Sequence, residues 1–464
     1  MRTILCSACF LLLASLPASA GRSASDTSAH PAAVSTAPFL PAGSAEPGTA
    51  NSFLDSLPKH FSWSAQVMAF GRATNFVKKM GTVNPENRIA KLNRTDGGLY
   101  LRPEFKWESG SFEVVAKPRL NININGDKGG LFQRDKYDNR LYMQELKAKW
   151  QLNQRIYVIG GRYVKYMGTS AFFNPSNPFI LDNLGTLNPK LEIEPMDFVE
   201  LNWSAHTDWN FSFIANLGDA GKSIYQAPFF RFKRSYGLFG EYYGDSENFG
   251  FLATVDEAHR YHGGWYGHKN ISEALVLWTD CALDYNPNRF YPVAGHHTNL
   301  LNYEMVNDGS NNRGFFTGLL GGSYTFKTGP TLQVNYLYNG KGYNSKQMDL
   351  YNQMISTAAN YNFDITKDLA NLNLGRALNT GTLYLRHHYV FSQLGDSDVF
   401  GQLDYNFRYL YSFDDRGSQL SSLLEWNLKD NMQLYSVTIG NFGKQTDLNK
   451  LLRFQVMLGL IFKM

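Results

Sequence analysis

Near its C-terminus the chain alternates with period two. Leu452, Phe454, Val456, Leu458, Leu460 and Phe462 are interleaved with Arg453, Gln455, Met457, Gly459, Ile461 and Lys463. Successive side chains of an extended strand point to opposite faces, so this segment is a ribbon with one wholly apolar face. A soluble sheet would bury that face against a core, whereas a membrane barrel would turn it to lipid. The same period, and not 3.6, dominates the chain from about Phe53 onward. Amphipathic helices are scarce; 348–360 and 366–374 are the two segments that read as short helices, both inside a loop.

Sixteen segments carry the strand pattern, from 61–74 and 98–108 through 155–166, 229–242 and 381–392 to 450–463. Their connections alternate in length. Short ones include Ser109-Gly110, Asn153-Gln154, His206-Thr207 and Lys429 to Asn431; long ones include 75–97, 123–139, 167–196, 258–312 and 340–380. Transmembrane β-barrels show this asymmetry, with short periplasmic turns and long extracellular loops. The fold expected is therefore all-β, a transmembrane antiparallel barrel of 16 strands. A further hairpin within Ala274 to Val293 would raise the number to 18. Two strands carry a proline, Pro103 and Pro118, where a missing ladder donor predicts a bulge or a displaced strand limit.

Composition agrees with a barrel. Mean hydropathy is negative, yet aromatic residues make up 15% of the chain and glycine is abundant with 41 residues. A wall with one face to lipid and one to water averages to this, with aromatics gathered at the interfaces. Trp107, Trp150, Trp203, Trp209 and Trp426 all fall near short connections, and Trp63 begins the first strand, as an interfacial belt requires. A domain from 53 to 464 of about 410 residues is long for one soluble core, which usually splits beyond ~250–300 residues. Arg2, the apolar run Ile4 to Leu16 and Pro17-Ala18-Ser19-Ala20 read as a signal peptide over 1–20. Residues 21–52 are a Ser/Ala/Pro-rich tether that cannot bury enough apolar surface to fold. A cleaved signal and a barrel together place the chain in the bacterial outer membrane.

Lipid-facing apolar positions imply lumen-facing neighbours. Arg102, Glu104, Lys106, Lys117, Arg119, Lys147, Arg162, Arg231, Lys233, Arg386, Arg408 and Arg453 are the expected pore-lining residues. Glu113, Glu145, Lys149, Glu200, Asp404 and Glu425 share that face. Basic groups outnumber acidic ones, and rings of Lys and Arg favour anions. The same mixture can instead pair into networks that stiffen the wall. Loop 167–196 follows the fifth strand and is rich in apolar residues, among them Phe172, Phe173, Phe179, Ile180 and Leu181. Folding into the barrel mouth would bury these side chains and narrow the pore.

A long third loop after strand five, an even strand number and a closing C-terminal strand resemble the general bacterial porins, where that loop forms the constriction. The C-terminal strand also resembles the barrel-assembly signal of outer-membrane proteins, although here Phe462 is followed by Lys463-Met464. The stretch G-R-Y-V-K-Y-M-G-T-S-A-F-F-N-P-S-N-P, Gly161 to Pro178, is similar to alginate-export-like barrels. The porin resemblance implies that Asp182, Glu192 and Glu194 on the loop face Arg102, Lys117, Arg119 or Arg162 on the wall. It implies passive diffusion of small polar or anionic solutes. A barrel for specific export or uptake, or for a partner complex, is the alternative.

Other chemistry is weakly supported. His259, His262, His268, His296 and His297 gather in 258–312 near Asp256, Glu257 and Cys281, but their spacing fits no metal motif. An outer-membrane hydrolase would need an oriented Ser and His; His388 and Ser392 share a strand face but sit too far apart. No catalytic residue, metal, cofactor or nucleic acid is expected. The expected partners are outer-membrane lipid and small hydrophilic solutes, with a homotrimer left open.

Overall fold

The edge that the C-terminal ribbon would leave unpaired is closed by the first strand. In the computed structural model β1 (Phe61–Phe76) pairs antiparallel with the last strand, β20 (Leu452–Lys463), from Gln66↔Lys463 to Phe76↔Leu452. Ala65 and Met464 exchange backbone hydrogen bonds of 3.0 and 2.8 Å beyond that ladder. Closure matters because lipid offers no partner for free backbone groups. The structure describes residues 60–77, 82–90, 92–125, 137–180, 190, 192–219, 232–295, 302–308, 312–361, 364–443, 448 and 451–464. The signal peptide and tether expected over 1–52 lie outside the described residues.

The wall continues through β2 (Thr95–Ser109), β3 (Phe112–Asn125), β4 (Tyr137–Gln151), β5 (Ile156–Tyr163), β6 (Met196–Ser204), β7 (Trp209–Asp219), β8 (Ser235–Tyr243), β9 (Glu247–Asp256), β10 (Tyr261–Asn270) and β11 (Leu275–Tyr285). A small hairpin, β12 (Phe290–Ala294) and β13 (Tyr303–Asn307), stands apart from it. The wall then resumes with β14 (Gly314–Thr325), β15 (Thr331–Asn339), β16 (His388–Val399), β17 (Leu403–Ser412), β18 (Ser418–Lys429) and β19 (Met432–Phe442) before β20. Each strand is hydrogen-bonded to the next in one closed sheet of 18 strands.

Eighteen replaces sixteen because the expected loop 258–312 contains β10 and β11. β10 reads Y-H-G-G-W-Y-G-H-K-N. Glycine holds outward positions 263 and 267 and histidine holds inward positions 262 and 268, so hydropathy does not alternate along it. The additional hairpin is Tyr261 to Tyr285, not one within Ala274 to Val293; Phe290–Ala294 belongs to the separate hairpin. Likewise β16 starts at His388, later than the expected segment 381–392.

Parity elsewhere follows the pattern. Outward Leu99, Leu101, Leu458 and Leu460 are exposed, while their neighbours Tyr100, Met457 and Ile461 are buried. Trp63, Trp150, Trp203 and Trp426 lie exposed on the outer face toward one rim, the end where the short turns lie. Among the described residues no helix is long and apolar enough to cross a membrane.

The prolines perturb the ladder in two ways. At Pro118 the β3–β4 register shifts between Lys117↔Glu145 and Pro118↔Met143, a bulge. At Pro103 the β2–β3 ladder is interrupted but resumes in the same register, from Leu101↔Leu120 to Phe105↔Ala116. The carbonyls freed there accept hydrogen bonds from the wall residue Arg119, at 2.9 Å for Pro103 and 3.1 Å for Pro118.

Above the rim opposite the short turns, three long loops pack together. The β15–β16 loop forms α1 (Ser345–Ala359) and α2 (Asp364–Leu378), near the two segments expected to be helical. Asn344 caps α1 in a reciprocal box with Gln347. Tyr351, Met354, Ile355 and Leu374 of these helices share a buried cluster with Met305 of β13 and with Val83 and Ile89 of the β1–β2 loop. Arg88 of that loop donates to the Ala358 and Ala359 carbonyls at 3.4 and 3.2 Å, satisfying orphan acceptors at the end of α1.

Candidate functional site

The loop between β5 and β6 folds inward, because its aromatic residues find no other cover. Phe172 and Phe179 are each only 5% exposed. Phe179 packs edge-on to Phe198 at 5.1 Å, among lumen-facing Tyr163, Met196, Ile214 and Phe239. Phe172 packs against Phe391 at 5.5 Å, among Trp278, Leu319, Leu337 and Leu410. Burying a side chain of this size contributes about 1.5–3 kcal/mol, whereas an exposed ion pair contributes about 0–1 kcal/mol. The two phenylalanines therefore hold the loop in the bore, and the polar contacts orient it.

Those contacts reach three parts of the wall. On β11, fully buried Asp280 accepts from the Ser176 N–H at 2.7 Å and from its hydroxyl at 3.0 Å. His262 of β10 lies 3.0 Å from the Ser176 carbonyl by Nε2 and 2.7 Å from Asp284 by Nδ1. On β2 and β3, Arg119 is 2% exposed and has every direction of its guanidinium occupied. Its Nε donates to both Glu192 oxygens at 2.9 and 3.0 Å, its Nη2 also meets Glu104 at 3.2 Å, and its Nη1 takes the two proline-freed carbonyls. Arg102 donates to the Lys190 carbonyl at 3.1 Å and lies 3.8 Å from Glu192. On β18, Glu425 pairs with Lys190 of the loop. Gln144, set inward by the bulge, donates to the Ile193 carbonyl at 2.7 Å.

The wall itself is divided. One side carries the charged rows: Lys117 bridges Glu145 at 3.1 Å and Glu104 at 3.6 Å, Lys147 meets Glu145 at 2.8 Å, and Lys106 meets Glu108. Lys149 lies over the Tyr157 ring at 4.5 Å. Next along the circumference, Lys165 of the loop donates to buried Glu200 at 2.8 Å. The other side is mostly neutral, with inward Asn335, Gln393, Asn406, Gln419, Ser421 and Gln433. There Arg408 donates to Gln393 and Asn406 at 2.9 and 3.1 Å and stacks 5.6 Å from the Phe172 ring of the loop.

Most expected lining residues face the bore: Arg102, Glu104, Lys106, Lys117, Arg119, Lys147 and Arg408. Arg453 is exposed at a bulge where the β1–β20 ladder steps from Asn75↔Phe454 to Phe76↔Leu452 and Leu452 joins the inner cluster. Arg162 does not. Tyr163 points inward to Glu200, so Arg162 points outward, where it pairs with Asp197 at 2.8 Å. The alternation along β5 is unbroken, with Tyr157, Ile159 and Tyr163 inward and Arg162 outward. Gly161 lets β4 and β5 approach closely, since its φ is +128° and a Cβ there would stand 2.0 Å from the Leu146 carbonyl. Arg386 precedes β16 and is buried beneath the α1 loop, donating to the Tyr343 carbonyl at 3.2 Å, so it secures that loop instead of lining the wall. Lys233 is exposed in the loop ahead of β8. Glu192 lies against Arg102 and Arg119, and Glu194 is exposed two residues beyond it. Arg231 and Asp182 lie outside the described residues.

Sequence reasoning missed Asp280, Ser176, Lys190 and the inward pair Arg72–Asp96, whose ladder positions face each other across β1 and β2. The signal for Asp280 was a lone carboxylate between apolar strand residues, which reads as loop unless β11 is recognised. Of the histidines, His262 serves the Ser176–Asp284 bridge, and no group of metal-holding side chains occurs among the described residues.

No family model matches the chain, and no curated protein does. Solved structures do match in fold. OccK11 (OpdR) of Pseudomonas aeruginosa superposes with a TM-score of 0.52 at 10% identity, over 87% of this chain and 96% of that one. OccK2 (OpdF) of the same organism, in complex with glucuronate, gives 0.52 at 12% identity over 88% and 98%. A BenF-like porin from Pseudomonas fluorescens Pf-5 gives 0.51 at 10% identity over 87% and 98%. The fold is that of these porin β-barrels.

Proposed function

We propose that the chain is an outer-membrane channel for passive diffusion of small polar or anionic solutes, narrowed by the loop between β5 and β6. One observation carries this reading: a sealed barrel holds the described parts of the β5–β6 loop inside its bore, bound to the wall through Arg119 and Glu192. A purely structural barrel has no use for a charged crossing at mid-lumen, whereas a channel needs one to select. The porin fold supports the same reading. One fold neighbour carries glucuronate, a small sugar acid, and a solute of that chemistry suits this bore. The neutral side of the bore would meet its hydroxyl groups, and Lys147 and Lys149 of the charged side would meet its carboxylate.

Preference for anions is mild, because Glu104, Glu108 and Glu145 offset Lys106, Lys117 and Lys147. In a liposome-swelling series with ions of matched size, small anions are expected to enter about two- to fivefold faster than cations. Equal rates would remove the basic-lumen part of the reading while leaving the channel. Liposomes that do not swell with any solute would remove the channel.

A further inference from the structure

The outer face carries a pit that transport does not use. Outward side chains form ridges along most strands, but β10 presents Tyr261, Gly263, Trp265, Gly267 and Lys269. Gly267 stands between its ladder partners Phe249 of β9 and Thr279 of β11. Without a side chain there, Tyr242, Phe249, Leu277 and Leu320 surround a cavity of about 520 Å³ on the lipid side of the wall. It is a shallow, open depression, so it can cradle a chain along one side and does not enclose it. Phe249, Leu277 and Leu320 are all exposed, so the lining is apolar and open to the bilayer.

The pit ends in charge. Lys269 and Glu247 form a pair of 3.0 Å at the short-turn rim, with side chains 60% and 46% exposed. The aromatic group of Trp209, Tyr242 and Phe249 stands beside them at the interface. Exposed ion pairs contribute little stability, about 0–1 kcal/mol, so both charges can exchange partners readily. A cation and an anion side by side match a phosphate and an ammonium carried by one headgroup. A fatty acid would use only Lys269. A second barrel would meet this convex wall along its ridges and leave the pit empty, whereas a flexible chain can enter it.

We propose that the pit holds one acyl chain of a zwitterionic glycerophospholipid from the periplasmic leaflet, with its phosphate on Lys269 and its ammonium on Glu247. This rests on the outer-membrane reading above. The site is an annular lipid site, set by the missing side chain at position 267.

The test is native mass spectrometry of the full chain, taken into mild detergent from bilayers of equal phosphatidylethanolamine and phosphatidylglycerol. The wild type is expected to keep a single phosphatidylethanolamine per chain. Gly267→Leu fills the pit and is expected to lower that retention about tenfold. Gly267→Val, β-branched and suited to a strand, should do the same if the leucine variant assembles poorly. Glu247→Gln should abolish the preference over phosphatidylglycerol, whereas Lys269→Gln should lower the retention of both lipids. Wild-type retention in the filled variants, equal retention of both lipids by the wild type, or a second protein copy in place of lipid would overturn the proposal. Single-channel conductance of the filled variants is expected to equal that of the wild type. Loss of lipid with conductance intact isolates the lipid site, whereas no conductance in any variant, wild type included, removes the outer-membrane channel reading instead.

Discussion

Arg119→Ala is expected to release the constriction loop and to raise single-channel conductance on the order of twofold, with added open-channel noise. Arg119 is the point where the loop carboxylate Glu192, the wall carboxylate Glu104 and two proline-freed carbonyls converge. Alanine leaves the two carboxylates facing each other with no cation between them. Removing one partner of a buried pair costs about 3–5 kcal/mol. Water reaches Glu192 and Glu104, whose side chains are 23% and 44% exposed, so the loss should fall toward the lower end of that range. Phe172 and Phe179 still hold one part of the loop, so it should loosen at Glu192 and not leave the bore. The sign of selectivity is fixed by the same geometry. A fixed cation is lost, while Glu192 keeps Arg102 at 3.8 Å and Glu104 keeps Lys117 at 3.6 Å, so the anion-to-cation permeability ratio should fall modestly. Lys at this position cannot reproduce the bidentate fork, and Arg119→Lys should lie between wild type and alanine. Glu192→Ala combined with Arg119→Ala should show strong non-additivity, since the residues share one contact. Wild-type conductance and selectivity in Arg119→Ala would show that the clamp does not set the pore.

Leu458→Arg should prevent most of the chain from assembling, while Gln455→Arg three residues earlier should be tolerated. Leu458 is 57% exposed on the outer face near the middle of β20, opposite Gly71 and Ser436. Arginine on the lipid face at the bilayer midplane costs about 2–4 kcal/mol, and this strand also closes the barrel. Gln455 points inward and reaches Thr74 at 3.4 Å, where a guanidinium meets water. The check is the fraction of heat-modifiable, protease-resistant barrel after refolding into vesicles. Equal assembly of the two variants would contradict the assignment of faces. The contrast is more telling than either variant alone, because both place the same charge on the same strand.

These faces were legible from sequence wherever the inward and outward sets differ in chemistry. β20, β2 and β18 announce themselves, and so does the inward turn of the loop, through Phe172 and Phe179. The helices α1 and α2 were legible too, because their period differs from that of everything around them. β10 was not. Its glycines remove the apolar signal from one face, and His262 and His268 replace the usual lumen polar residues on the other. Arg162 was misassigned for a different reason. Its charge reads as a lumen group, but unbroken alternation along β5 sets it outward with Val158 and Gly160, where Asp197 across the ladder meets it. Arg386 failed because the start of β16 was placed too early, and a shift of strand limit changes every assignment near it. Glu192 was legible as an acid opposite wall arginines, but its choice of Arg119 depends on carbonyls that Pro103 and Pro118 leave free. That is a consequence of two interrupted ladders, visible only once the strands are aligned.

The central claim is that this sealed sheet encloses a conducting bore. Planar-bilayer recording from the purified, heat-modifiable full chain tests it most directly. Discrete ion-conducting steps are expected. Correctly folded barrels that insert into the bilayer and carry no current would contradict the account.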